Sequence, residues 1–312
     1  MRGRSLKCVY QLAKQDPRIV FIGSDLGPEV LKDFKSEMPE RFFMEGISEA
    51  HIIGMAAGLA KEGYIPYVNT IATFLTRRCY EQIAIDLCLQ NLPVRLIANG
   101  GGLVYAPLGP THLAIEDIGL MRLLPNMTIL VPADAEEIAR LMMQTVDVPG
   151  PIYIRVAKGG EPIVSRPEQA CKIGRAIVLQ EPGEVVIVTM GVMVHRALQV
   201  SELLKAQSIS CGVVNMHTVK PLDPETLFSV AEKAKLLVIL EEHTKIGGLG
   251  SAVMEAFVEH HQAIPKMLHF GIPDCFAENY GSQDRLINLY GMDAKLISVV
   301  IKNKFKMSVI PG

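Results

Sequence analysis

The 312-residue sequence has no tryptophan, and aromatic residues make up only 6% of it. That scarcity counts against a nucleic-acid binder built on base stacking. Neither sign of charge prevails: Lys+Arg total 31 and Asp+Glu 33, a formal charge of -2. No global attraction to nucleic acid or anionic lipid follows from such a balance. Long hydrophobic runs are missing, since stretches such as Val185–Val188 and Leu236–Leu240 are far too short to span a bilayer. The basic N-terminus (MRGRSLKCVYQLAK) lacks both an extended apolar segment and a small-residue cleavage site, so no signal peptide is expected. Six cysteines, at positions 8, 79, 88, 171, 211 and 275, form no C-x-x-C pair. Scattered singles in a chain of this size read as reduced residues of a cytoplasmic protein. The eight histidines include no H-E-x-x-H pattern, so metal binding by this chain's own side chains is not expected.

What is there is a chain of 49% hydrophobic and 21% charged residues, with room for two domains at ~150 residues each. Short apolar, β-branched runs alternate with amphipathic stretches, the pattern of parallel α/β architecture. Strands are expected near Ile19–Gly23, Ile65–Val68, Val94–Ala98, Thr128–Val131 and Ile152–Val156. Helices fit Glu49–Lys61, Phe74–Leu89, His112–Leu123 and Asp134–Thr145. The segment after Lys158 is rich in proline and charge and has no periodicity, which marks a linker. Beyond it, strands are expected near Ala176–Leu179, Val185–Met190, Ser210–Met216 and Leu236–Glu241, with helices at Met193–Lys205, Pro224–Lys233, Leu249–His260 and Ser282–Tyr290. The fold class expected is two doubly wound α/β domains in series, over 1–158 and 173–312, joined by a linker over 159–172.

Two segments stand out chemically. Glu49 opens a helical pattern that carries Gly54 and Gly58. Glycine inside a helix costs ~1 kcal/mol relative to alanine, so two of them imply the close approach of another backbone or a ligand. A carboxylate in the first turn complements the helix dipole, and on the residues alone capping is the commoner role for Glu49. The second segment, Asn99 to His112 (NGGGLVYAPLGPTH), is a long Gly/Pro-rich loop after an expected strand. Ligands of open α/β sheets bind outside such strand ends. The loop matches neither a P-loop nor a G-x-G-x-x-G fingerprint.

Several motifs in register resemble the pyrimidine-binding domain of transketolases: Glu45-Gly-Ile-Ser-Glu-Ala-His, Thr70-Ile-Ala-Thr-Phe-Leu-Thr-Arg-Arg, Gly109-Pro-Thr-His-Leu-Ala-Ile-Glu-Asp, Pro125-Asn-Met-Thr and Pro132-Ala-Asp. Lys220-Pro-Leu-Asp and Glu241-Glu-His with Gly247-Gly-Leu-Gly are similar to the transketolase C-terminal domain. The G-D-G…N motif by which transketolases hold Mg2+ and thiamine diphosphate is missing, and there is no room for it before Arg4. The resemblance therefore implies the C-terminal subunit of a split transketolase. Its partner would be a separate N-terminal subunit carrying G-D-G…N and the Mg2+ ligands, in an α2β2 assembly with two copies of this chain.

The same resemblance implies residue roles. Glu49 would face N1′ of the aminopyrimidine and share a proton with it. Phe74 would stack on that ring, Ile71 would form a pocket wall that is aromatic in many transketolases, and Asp25 would lie near the cofactor. His112 would contact substrate oxygens and take part in catalysis. Lys158 stands where the family commonly has a phosphate-gripping Arg, and a Lys is a point charge rather than a bidentate fork. Ser5 aligns, across a gap, with another phosphate contact. Two departures bear on the substrate: Leu108 replaces an Asp that contacts a sugar hydroxyl, and Gly100 replaces a phosphate-binding His. An unpaired buried hydroxyl would cost ~1–3 kcal/mol, which points to a modified, deoxygenated or non-phosphorylated acceptor. The activity implied is transfer of a two-carbon ketol unit from a ketose to an aldose. The alternatives are a 2-oxoacid dehydrogenase β subunit or half of a deoxyxylulose-phosphate synthase-like enzyme, and a catalytically silent assembly subunit.

Overall fold

The computed structural model describes residues 1–24 and 28–309. Its strands are β1 Ile19–Gly23, β2 Phe42–Met44, β3 Ile65–Ile71, β4 Arg95–Asn99, β5 Thr128–Leu130, β6 Ile152–Val156, β7 Ile177–Gln180, β8 Val185–Thr189, β9 Cys211–Asn215, β10 Thr218–Lys220, β11 Leu236–Thr244 and β12 Met267–Ile272. They form a seven-stranded sheet in the order β10-β5-β6-β4-β3-β1-β2 and a five-stranded sheet in the order β12-β11-β8-β9-β7. Every residue of β1, β4, β6 and β8 is buried, as expected for parallel strands covered by helices on both faces. The result is two α/β domains in series with mostly parallel sheets.

The halves are nevertheless interleaved. β10, from the second half, pairs antiparallel with β5, and Lys220 Nζ donates to the carbonyls of Arg122 and Leu124 at 3.0 and 2.6 Å. One apolar cluster includes Ile129 and Val131 with Met190, Val214, Met216 and Val219. The connecting segment between β6 and β7 has no helix or strand, yet it is pinned. Asp134 accepts from the amides of Val164 and Ser165, and Arg140 donates to the carbonyls of Arg166 and Gln169.

Several elements were not foreseen: the short β2 and β10, the edge strand β12, and the helices Arg2–Gln15 and Ala294–Val309. The helix expected over His112–Leu123 is shorter, at Asp117–Arg122. Gly109 at φ 77° and Pro110 give a single 3-10 turn at Pro110–His112 instead. The helical stretch from Phe74 is wound as π-helix at Phe74–Arg78 and Ile83–Cys88. The close approach expected at Gly54 and Gly58 is not made within this chain: a Cβ at either would meet no atom within 4 Å. Among the described residues no helix is long and apolar enough to cross a membrane.

Candidate active site

Strands β4 and β3, which are neighbours, and β2, which lies beyond β1 at the sheet margin, deliver the candidate residues to the same end of the sheet. Glu49 begins the helix Glu49–Lys61 that follows β2, Phe74 lies just beyond β3, and His112 sits in the loop after β4. These are carboxyl ends of parallel strands, where α/β sheets bind ligands. Glu49 is 3% exposed, and its Oε2 accepts from Arg78 Nη1 at 2.7 Å. The Arg78 guanidinium carbon stands 4.5 Å from the Phe74 ring centroid. On Phe74 the His112 ring packs edge-on, with centroids 5.1 Å apart and planes at 65°. Glu49, Phe74 and His112 are thus joined through contacts that centre on Arg78 and Phe74.

Arg78 was not singled out by sequence reasoning, although it stands in the Thr70–Arg78 motif. The available signal was its spacing, four residues after Phe74, which brings helical side chains together. Its neighbour Arg77 bonds Glu116 and donates to the Leu113 carbonyl at 3.1 Å, fixing the chain just after His112. The π-winding presents Phe74, Arg77 and Arg78 as a group, and such winding is common at functional sites. Burial pushes the nearby Cys79 thiol up to about 12, helped by the Glu49 charge, which favours the protonated thiol over the thiolate.

The Gly-rich segment is a closed Ω-loop rather than a free tether. Gly102 and Ala114 exchange backbone hydrogen bonds of 2.8 and 3.1 Å across its neck. Arg155 braces the neck, donating to the Ala114 and Glu242 carbonyls, each at 3.0 Å, and to Asp117 at 2.8 and 3.1 Å. Burial alone would lower the Arg155 pKa, but Asp117 and Glu242 more than offset it and raise it. Glu242 accepts from the Leu103 amide at 3.0 Å and from Gln283 Nε2 at 2.8 Å. Burial raises its carboxyl despite Arg155. The adjacent Glu241 is held below the usual range: burial would raise it, but His269, His243 and the Gly250 amide outweigh that. Glu242, and His243 through the Gly119 amide at 3.2 Å, brace the second half against the first, whereas Glu241 bonds within the second half, to the Leu249 and Gly250 amides and His269.

The remaining expected residues are dispersed. Ile71 is half-buried at the end of β3, beside the site. Gly100 is buried at φ 78°, and a Cβ there would overlap the Tyr105 ring, so a side chain at this position would strain the backbone and require Tyr105 to move. Leu108 is 50% exposed on the loop, and Tyr280 from the second half packs against its neighbour Gly109. Lys158 is exposed two residues beyond β6 and lines a cleft with Pro107, Val192, His195, Arg196 and Gln283. Ser5 is fully buried and donates to the Arg2 carbonyl at 2.8 Å, which removes it as a phosphate contact. Asp25 lies outside the described residues.

Residues 1–160 match the family model described as the transketolase pyrimidine binding domain, and residues 174–297 match the transketolase C-terminal domain. The chain belongs to the transketolase family. A 1-deoxy-D-xylulose-5-phosphate synthase of Synechococcus sp. is 38% identical over 97% of this chain but 47% of its own length. The chain thus spans about half the length of most curated relatives it matches. A 6-deoxy-6-sulfo-D-fructose transketolase subunit of a Clostridium strain is 34% identical over 95% of this chain and 92% of its own. Among solved structures, a split gene transketolase described as an inactive β4 tetramer is similar with TM-score 0.89 and 36% identity over 98% of both chains. A transketolase from Pichia stipitis, at 19% identity and TM-score 0.80, shares the fold over 98% of this chain and 46% of its own.

Proposed function

We propose that this chain is the C-terminal subunit of a thiamine-diphosphate-dependent transketolase that moves a two-carbon ketol unit from a ketose to an aldose. We further propose that it works with a separate N-terminal subunit carrying G-D-G…N and the Mg2+ ligands, in an α2β2 assembly. The observation that carries the reading is the contiguous set of Glu49, Arg78, Phe74 and His112 at the ends of β2, β3 and β4. A buried carboxylate already holding a planar cation over an aromatic face suits the edge and face of an aminopyrimidine. The similarity in length to the Clostridium subunit and the split gene transketolase supports the division into two chains.

Thiamine diphosphate, when bound, supplies the carbon nucleophile and electron sink that cleavage of a carbon–carbon bond requires. This chain's residues do the rest. Glu49 holds a proton at the aminopyrimidine edge, Phe74 and Ile71 bound the ring, and His112 offers a ring nitrogen to substrate oxygens. Lys158, with His195 and Arg196 on the same cleft, attracts the anionic end of the sugar. Leu108 cannot accept from a hydroxyl, which favours a modified, deoxygenated or non-phosphorylated acceptor over an ordinary pentose phosphate.

Reconstitution tests the reading. The chain is mixed with a G-D-G…N subunit, thiamine diphosphate and Mg2+, then assayed with phosphorylated ketoses and with 6-deoxy-6-sulfo-D-fructose. Two-carbon transfer is expected only with both chains present, and Glu49→Gln should lower turnover by about 10²–10⁴-fold. Unchanged turnover in that variant would return Glu49 to helix capping. A second reading is favoured by the identity to 1-deoxy-D-xylulose-5-phosphate synthases, and a 1-deoxyketose phosphate product in mass spectra would select it.

A further inference from the structure

Outside the site described, one buried cluster has no partner in the catalytic reading. Glu137, on the helix Ala135–Gln144, Cys171, on the segment joining the halves, and His217, between β9 and β10, bring one ligand atom each to within 4.8 Å of one another. Glu137 and His217 are fully buried and Cys171 is half-buried. His217 Nδ1 lies 3.0 Å from Thr218 Oγ1, whereas its Nε2 is buried with no hydrogen-bond partner. Asn215 donates from Nδ2 to Glu137 Oε1 at 2.7 Å, and its Oδ1 is likewise buried and unpartnered. Each orphaned atom of this kind costs about 1–3 kcal/mol, so two of them beside a thiol and a carboxyl call for a shared partner.

We propose that Glu137, Cys171 and His217 form a divalent metal site of the zinc class, with Asn215 Oδ1 or a water as the fourth ligand. The donor set is one oxygen, one sulfur and one nitrogen, a mixture that suits four-coordinate Zn2+ and not the all-oxygen preference of Mg2+ or Ca2+. Binding replaces the Cys171 thiol proton and any proton on Glu137, and both are released to solvent. The resulting thiolate and carboxylate neutralise the ion, which matters because the Arg140 guanidinium is close enough to act on all three groups. Without an ion, burial favours the uncharged forms: it pushes Cys171 up to about 12 and Glu137 to about 7, and His217 down to about 4. A bound cation reverses that preference for the two acids and uses the His217 lone pair directly. The three ligands come from the first domain, the connecting segment and the second domain, so the ion is a staple between the halves.

The full chain, stripped with chelator and titrated with Zn2+ and Co2+, tests this. The wild-type protein should retain one equivalent of Zn2+ through gel filtration in the presence of excess Mg2+. Its Co2+ form should show a thiolate-to-cobalt charge-transfer band in the near ultraviolet. Cys171→Ser should abolish the band, and His217→Gln should weaken uptake at least ten-fold. Zn2+ should raise the melting temperature of the wild type and leave that of Cys171→Ser unchanged. The proposal is overturned if the wild type takes up no stoichiometric Zn2+, a result that does not depend on how the variants fold. Equal uptake by wild type and Cys171→Ser overturns it as well.

Discussion

Arg78 donates to Glu49 at 2.7 Å while its guanidinium covers the face of Phe74 at 4.5 Å. One planar cation thereby meets both groups that the proposed function assigns to the aminopyrimidine. On the proposed function the ring would take the place of the guanidinium, so Arg78 would have to swing aside for the cofactor to enter. Its side chain is 50% exposed, which gives it somewhere to go.

Arg78→Ala should therefore bind thiamine diphosphate more tightly in the reconstituted complex. The pair joins a half-exposed Arg78 to a buried Glu49, and a charge-assisted hydrogen bond of about 1.5–3 kcal/mol puts the gain at roughly ten- to 150-fold. Arg78→Lys keeps the charge but not the stacked plane, and should fall between. Calorimetric titration with thiamine diphosphate reads the effect. Weaker binding in Arg78→Ala would mean that the guanidinium grips the cofactor instead of competing with it.

At Gly100, where the resemblance implies a histidine in other members, a side chain meets a steric obstacle. The residue sits at φ 78° beneath the Tyr105 ring. Either Gly100→Ala or Gly100→His should destabilise the fold by about 2–4 kcal/mol, combining left-handed backbone strain with overpacking. Urea unfolding measures this. A Gly100→His variant as stable as wild type would show that Tyr105 moves away freely.

Much of the sheet was legible because its strands are short Val/Ile runs between Gly and Pro: β1 and β6 fall on the residues expected from sequence. β2 and β10 span three residues each, too few for any periodicity to register. The helix expected from His112 failed for a local reason, the Gly109-Pro110 corner. Glu49, Phe74 and His112 could be picked out by motif, but their contact could not, because it depends on the π-winding that sets Arg78 between Glu49 and Phe74 and on the loop that lays His112 on the Phe74 ring. Likewise, Glu137, Cys171 and His217 are far apart in the chain and meet only once β10 joins the first sheet.

Asp117 is the keystone beneath the Ω-loop. It is fully buried and accepts from Tyr153 Oη at 2.8 Å and from Arg155 at 2.8 and 3.1 Å. Asp117→Ala removes the direct ion-pair partner of the buried Arg155 and leaves only the Glu242 charge to offset its burial, which should cost about 3–5 kcal/mol. Removing both charges, in Asp117→Ala with Arg155→Met, should recover part of that loss. Chemical denaturation of the two variants tests it, and a double variant less stable than the single would refute the pairing.

Asp134 ties the helix Ala135–Gln144 to the connecting segment. Its Oδ1 accepts from the amides of Glu136 and Glu137, each at 2.9 Å, and its Oδ2 accepts from the amides of Val164 and Ser165 at 2.8 and 2.7 Å. Burial would raise this carboxyl, but those amides and the Ser165 hydroxyl outweigh burial and hold it below its usual value of 3.8. A folded-state pKa below the unfolded one means that the unfolded chain takes up the proton first on acidification. The stabilisation is therefore complete above pH 3.8 and is lost as pH falls from there through the lower folded value. Asp134→Asn keeps the cap acceptor but turns an amide NH2 toward the Val164 and Ser165 donors. It should cost about 1–3 kcal/mol at neutral pH. The gap between wild type and variant in urea unfolding should narrow below pH 3.8. A gap that stays constant down to pH 2.5–3 (roughly one unit into the window) would show that the carboxylate charge contributes nothing at this junction.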